Sequence, residues 1–375
     1  MANTGRGKAW RRDQFGQYGV KIVSALPVRP SVLKGRVMAP PTLWSRYKLR
    51  LRRKRLLWRG FRSRHKLTSV QNHTQRIAPA DILLFATVRN EALRLPYFLQ
   101  HYRALGVRHF LIVDNGSDDG TLDLLKAASD VSVWQTDAPY KSARFGMDWL
   151  TWLLMRYGHG HWTVTVDADE LLIYPQWETQ DLTVLTTQLT SEGHRSLGTL
   201  MLDLYPKGSP DSQRYHAGED PIPILSWFDG HGYWCERRGQ HQSVSVLGGV
   251  RARMFFERAP EFAPVLSKVP LVKWHRSYVY FSSTHVALPQ LLNAHHDLGG
   301  KERLTGVLLH TKFLPGTGAR ARIEKARGQQ YTRGPAHDAY YDALAEAPDL
   351  WVPESIEFTG WRQLVDLGLM FRGPW

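Results

Sequence analysis

"HWTVTVDADELLIYP", residues 161–175, passes from a strand-like pattern straight into Asp167, Asp169 and Glu170. Trp162 to Val166 is rich in aromatic and β-branched side chains, the composition of a strand. Three carboxylates in four positions repel one another, so the cluster is either fully solvated or has a positive charge among its side chains. On an extended segment Asp167 and Asp169, two residues apart, point to one face and can share an ion. The competing reading is an acidic turn that caps the next element.

Outward from this stretch the pattern is regular. "ILLFATV", 82–88, is a short apolar run suited to a buried strand, and "LPYFLQHYRALG", 95–106, reads as a helix. Pro96 suits the first turn of that helix and Gly106 its stop. "HFLIVD" ends on Asp114 and opens into the turn-rich "NGSDDG", with a short helix from Thr121. "VSVWQ", 131–135, is a further strand and residues 143–157 a further helix. This alternation predicts an α/β fold on a Rossmann-like, mostly parallel sheet. The loops after its strands, 87–91, 114–120 and 167–170, then lie on the edge where open α/β sheets bind ligands. Past residue 175 the pattern is irregular and rich in aromatics, Gly and His, as expected of loops and short strands.

The formal charge of +15 resembles that of a nucleic-acid binder until it is divided along the chain. Residues 1–66 carry 19 Lys and Arg against Asp13 alone, which leaves 30 basic and 33 acidic residues, a net of −3, for the rest. The basicity therefore belongs to a leader. Its densest part, "RYKLRLRRKRLLWRGFRSRHK" (46–66), interleaves eleven Lys and Arg with Leu, Trp and Phe. It suits a solvated basic arm or the surface of an anionic membrane, and nucleic acid is disfavoured. Cys235 is the only cysteine, so no internal disulfide forms. With no apolar run of spanning length and no hydrophobic signal core, the expected location is cytoplasmic, with peripheral association at the inner face of the membrane. The expected organisation is a basic leader over 1–75, partly disordered or at the membrane surface, and a main domain over 76–345. That domain divides into a regular half (80–178) and an irregular half (179–318), and residues 319–375 form a C-terminal helical segment.

Neither a dinucleotide fingerprint nor a P-loop follows the first strand, which excludes those phosphate cradles. Instead "ATVRNEALRLPYFLQHYRALGVRHFLIVDNGSDDGT", followed by "VTVDADE", resembles the nucleotide-binding half of glycosyltransferase family 2. More narrowly it resembles the bacterial subgroup with RNE, DNGSDDGT and DADE motifs. The likeness covers roughly residues 82–175, and "GGVRARMFF", "KVPLVKW", "SSTH" and "LLHTKF" also look like that subgroup. The resemblance implies a GT-A fold in a glycosyltransferase domain over 76–345, with 80–178 as its nucleotide-binding half and 179–318 as its acceptor half. It also implies a nucleotide-sugar donor, Mn²⁺ or Mg²⁺, and inverting transfer to a glycan or lipid-linked acceptor in polysaccharide assembly. It makes Asp169 the direct metal ligand, with Asp167 on the metal or the ribose. Many GT-A enzymes also bring a C-terminal His to that metal, which here is His310. Arg144 sits where relatives place a basic residue against the nucleotide. Asp114 is expected at the base or ribose, next to Asn115 where many relatives carry a second Asp.

The residue chemistry adds its own candidates. Arg89 can stack on a base or meet a phosphate. Asn90 belongs to the same nucleotide loop, Glu91 contacts the nucleoside or opens the helix, and Lys312 and Lys141 can meet the diphosphate. Direct displacement needs a base for the acceptor hydroxyl, and Asp229 and Glu236 are the carboxylates best placed by sequence, ahead of Glu219 and Asp220. His285 is a candidate acceptor or phosphate contact. "SWFDGHGYWCE", 226–236, is expected as a loop near the cleft, and the Arg and Lys residues of 319–348 as solvated helix faces. The alternative function is a catalytically inactive relative that binds membrane or nucleic acid through its basic leader.

Overall fold

A computed structural model describes residues 42–238, 241, 243–293, 303–329 and 335–374. The first 41 residues of the expected leader, parts of the irregular half (239–240, 242, 294–302) and residues 330–334 and 375 of the C-terminal segment lie outside them. Along the chain α1 (Leu43–Ser63) leads to β1 (Thr68–Gln71). Then β2 (Ile82–Val88), α2 (Leu95–Ala104), β3 (Val107–Asp114), α3 (Thr121–Ala127), β4 (Val131–Gln135), α4 (Met147–Tyr157) and β5 (Trp162–Thr165) alternate as expected. β6 (Glu170–Ile173), α5 (Leu182–Ser191) and β7 (Ser196–Asp203) follow. The remainder comprises β8 (Trp227–Phe228), β9 (Trp234–Arg238), β10 (Ser243–Leu247), α6 (Gly249–Phe255), β11 (Ser267–Lys273), β12 (Val279–Ser282) and β13 (Val286–Leu288). It ends with β14 (Gly306–His310), α7 (Thr317–Arg327), α8 (Pro335–Ala345), β15 (Ile356–Glu357) and α9 (Trp361–Asp366).

The protein is a mixed α/β structure on a nine-stranded sheet of order β1-β4-β3-β2-β5-β11-β7-β14-β6. Strands β2, β3, β4, β5, β7 and β14 share one direction, and β1, β11 and β6 oppose it. Alternate residues of β2 serve the two faces. Leu84 and Ala86 join a core under α2 and α3, while Leu83 and Phe85 join one under α4. A strand buried on both sides has no polar face, which is why its sequence is continuously apolar. The irregular half supplies β7, β11 and β14 to the same sheet. The expected loop 226–236 is instead built from strand pieces, β8 against β15 and β9 against β10.

The basic segment 46–66 also differs from a solvated arm. Most of it is α1, which buries Leu49, Leu56, Gly60 and Ser63 on α4 and β12. Arg59 donates to Asp148 at 2.8 Å and to the Ser142 carbonyl at 3.0 Å, and Ser63 Oγ donates to the Asp148 carbonyl. A Cβ on Gly60 would stand 2.5 Å from Thr151 Cγ2, so glycine is what lets these helices meet. β1, inside the expected leader, is an antiparallel edge strand of the sheet. Among the described residues no helix is long and apolar enough to cross a membrane.

Candidate active site

Parallel strands end on one edge, and here that edge carries the cleft, a cavity of about 650 Å³. Strands β2 and β3 deliver the first two loops. The turn after β5 delivers Asp167 and Asp169. Because β6 starts where its antiparallel partner β14 stops, Glu170 pairs with His310, and His310 in turn pairs with Asp203 at the end of β7. Glu170, Asp203 and His310, distant in sequence, therefore meet through strand register.

The two nucleotide-half loops are clipped together. Arg89 Nη1 donates to the Asn115 carbonyl at 2.7 Å, and Asn90 exchanges hydrogen bonds with Asp118 at 2.7 and 2.9 Å. Asn90 has φ 54°, a left-handed conformation that Asn tolerates better than most residues. Arg94 pairs with Glu91 at 2.9 Å and reaches the Lys312 carbonyl at 3.2 Å, joining the first loop to the chain after β14. Its Nε finds no partner among the described residues, although the residue is only 6% exposed. Such a donor on a cleft wall suits an anionic ligand.

The acidic turn answers the repulsion problem with the protein's own cations. Lys268, from β11, places its ammonium between Glu170 Oε1 and Asp167 Oδ2, the latter at 3.0 Å. Burial pushes the Glu170 carboxyl up to about 7 although Lys268 pulls against it. Burial alone would lower the Lys268 ammonium, but Asp167 and Glu170 hold it above its ordinary value. Asp169 is served separately. Burial works against its charge, yet His310, Arg94 and Lys312 hold it well below the usual carboxylate range. His310 stands between two acids, its Nε2 3.2 Å from Asp169 Oδ2 and its Nδ1 donating to Asp203 Oδ1 at 2.5 Å. Asp203 is held down, to about 2, against its burial by Arg251 and His310.

Among the described residues no three His, Cys, Asp or Glu side chains are grouped to hold a metal ion. Asp169 and His310 fit as a pair. Adjacent donors on an octahedral ion with bonds of roughly 2.1 Å lie about 3 Å apart, close to the separation seen between Asp169 and His310. A ligating imidazole also donates its second nitrogen to a carboxylate, as His310 does to Asp203. The other positions of such an ion would fall to water and substrate oxygens, which is how Mg²⁺ is usually held.

Of the residues expected from sequence, Arg89, Asn90, Glu91, Asn115, Asp167, Asp169, His285, His310 and Lys312 line this cleft. Asp114, Arg144, Asp229 and Glu236 do not. Asp114 is fully buried, where it accepts from the backbone and side chain of Ser117 and shapes the turn. Arg144 pairs with Asp148 at 2.7 Å and donates to the Tyr280 carbonyl, tying α4 to β12. Asp229 accepts from Tyr205 and twice from Arg253, so its oxygens are committed to structure. Glu236 sits on β9 opposite Ser245. Lys141, Glu219, Asp220 and the aromatics of 226–236 are also outside the lining.

The cleft adds Arg251, Lys268 and Tyr140, which sequence reading passes over, with Asp203 behind His310, and it takes Arg320 and Arg327 into its wall although both were expected on a solvated helix face. Arg320, Glu324 and Arg327 occupy one face of α7 at i, i+4 and i+7, a spacing visible in the sequence but shared with any solvated helix. Burial, then Arg94, lowers the Arg320 guanidinium to about 10, as in a wall crowded with cations. No protein-family model matches the chain, and no curated protein does.

Proposed function

We propose that the chain is a glycosyltransferase of the GT-A type, related to family 2, that moves a sugar from a nucleoside diphosphate donor to a glycan or lipid-linked acceptor. One observation carries the reading: two polar loops, an acidic turn and His310 meet at the carboxyl edge of the sheet, beside Arg94, Lys312 and Arg320. Arg89, Asn90, Asn115 and Asp118 would receive the nucleoside. Arg94, Lys312 and Arg320 would balance the diphosphate. Asp169 and His310 would hold Mn²⁺ or Mg²⁺, which supplies Lewis-acid stabilisation to the leaving diphosphate. The acceptor hydroxyl attacks the anomeric carbon as its bond to the phosphate oxygen breaks, and the hydroxyl proton goes to a base on the cleft wall.

Asp229 is unsuited to that role because its oxygens are occupied. His285 is better placed. Its Nδ1 is engaged by the Ser267 carbonyl at 2.9 Å, which leaves Nε2 as the acceptor. Burial, then Lys268, lowers its pKa to about 4, so it is neutral at pH 7. His285→Ala is expected to lower kcat by about 10²-fold while leaving donor binding intact. Steady-state kinetics separates the two, and a loss confined to donor KM would remove His285 from the chemistry.

Thermal denaturation with a panel of nucleotide sugars tests the function. Two protein ligands bind an ion weakly, so Mn²⁺ alone should shift Tm little, whereas Mn²⁺ with the right donor should raise it by several degrees. Shifts from no nucleotide in the panel, with or without Mn²⁺, would rule the reading out.

A further inference from the structure

Helix α1 is apolar on two opposite sides. One holds it to the body through Leu49, Leu56, Gly60 and Ser63. On the other, Trp44, Tyr47, Leu51 and Trp58 recur at steps of three, four and seven and stand 62, 50, 48 and 59% exposed. Arg50 and Lys54 flank this stripe on one side, with Lys48, Arg55 and Arg62 on the other, all exposed, and the helix contains no acid. A helix that only needed an inner face would carry polar residues across its outer one. Large apolar side chains set among cations are instead the pattern of a helix lying at a lipid–water boundary.

We propose that α1 docks the protein on an anionic lipid bilayer, with its cations on lipid phosphates and its stripe at the acyl boundary. Single-stranded nucleic acid would need open ring faces for its bases. Here Trp44 stacks on Tyr47 at 5.7 Å and Trp58 on Phe61 at 5.6 Å, so each Trp has one face taken, and Leu51 offers a base nothing to stack on. The chain's own residues 1–41 carry eight Lys and Arg against one Asp, the same sign as α1, and charge therefore disfavours them as its cover. On its inner side α1 touches β12, with Arg52 4.2 Å from the Phe281 ring, and the chain after β12 brings Ser283 and His285 to the cleft wall. Docking would thus put the lipid surface on the side of the cleft formed by Ser283 and His285. The docking stands without the transferase reading; only that consequence, a lipid-linked acceptor, rests on it.

Flotation of the full chain with phosphatidylcholine vesicles, with and without phosphatidylglycerol, tests this directly. Binding should require phosphatidylglycerol and weaken with salt. Trp44→Ser, Leu51→Ser and Trp58→Ser together should reduce it by about tenfold or more, with circular dichroism unchanged because these side chains are exposed. In the intact helix, Lys48→Glu with Lys54→Glu should also reduce it. Equal binding to neutral vesicles would overturn the proposal, as would undiminished binding of the triple variant. A single-stranded oligonucleotide bound tightly through the same three side chains would overturn it as well.

Discussion

Asp169→Asn is expected to remove the proposed metal-dependent sugar transfer, lowering kcat by about 10³-fold, the scale of losing a charge-stabilising group in an active site. The substitution keeps the shape of the side chain. It also keeps the backbone bonds at this position, since Thr311 donates from its N–H and its hydroxyl to the Asp169 carbonyl. What disappears is the one carboxylate that faces His310 from the cleft side. Asp229→Asn is the informative comparison, because Asp229 binds Tyr205 and Arg253 outside the cleft. That variant should lose stability but keep kcat within a few-fold. Initial rates at saturating Mn²⁺ decide between them: an Asp169→Asn enzyme that turns over normally, or equal losses in both variants, would mean that the chemistry is elsewhere.

Lys268→Met is expected to destabilise the fold by about 3–5 kcal/mol, the usual consequence of removing one partner from a buried ion pair. The Lys268 side chain is 4% exposed and that of Glu170 1%, so the missing ammonium would leave Glu170 with little solvation in its place. Glu170 would then take up a proton at neutral pH, because burial already pushes its carboxyl up to about 7 with the lysine in place. The double substitution Lys268→Met, Glu170→Leu removes both charges and should recover most of the loss. Urea unfolding of the four proteins in this cycle measures the coupling. A single variant within about 1 kcal/mol of the wild type, the scale of an exposed pair, would show that the ion pair does not hold the acidic turn.

The nucleotide half was largely legible because its signals are local. β2 was bounded correctly at Ile82–Val88, since a strand buried on both faces is almost continuously apolar, and β4 at Val131–Gln135, whose valines and Trp134 mark it as a strand. The convergence of the loops after β2, β3 and β5 also followed from sequence, since parallel strands end on a common edge. α4 begins at Met147 rather than 143, because Arg144, Phe145 and Gly146 have positive φ and break the helix. For the basic segment, composition left a solvated arm and a membrane-surface segment open, and the structure removes the first by docking α1 on the body. Only Leu49, Leu56, Gly60 and Ser63 need be small or apolar to dock α1, and nine cations on its other faces hide so sparse a pattern.

The amino-acid sequence by itself determined the strand–helix alternation, the edge at which the polar loops gather, and the acidic turn among them. Periodicity in a single segment is enough to encode each of these. Tertiary structure alone decided what sits between the carboxylates. Lys268 comes from 98 residues beyond Glu170, on a strand that runs antiparallel beside β5, and Asp203 meets His310 across 107 residues. No local pattern specifies such pairings, because they follow from which strands become neighbours and in what register, and that is set by burial of the whole sheet. Helix packing likewise took Asp229 into an ion pair with Arg253 and brought Arg320 to the cleft, whereas Arg144 found Asp148 one turn along the chain.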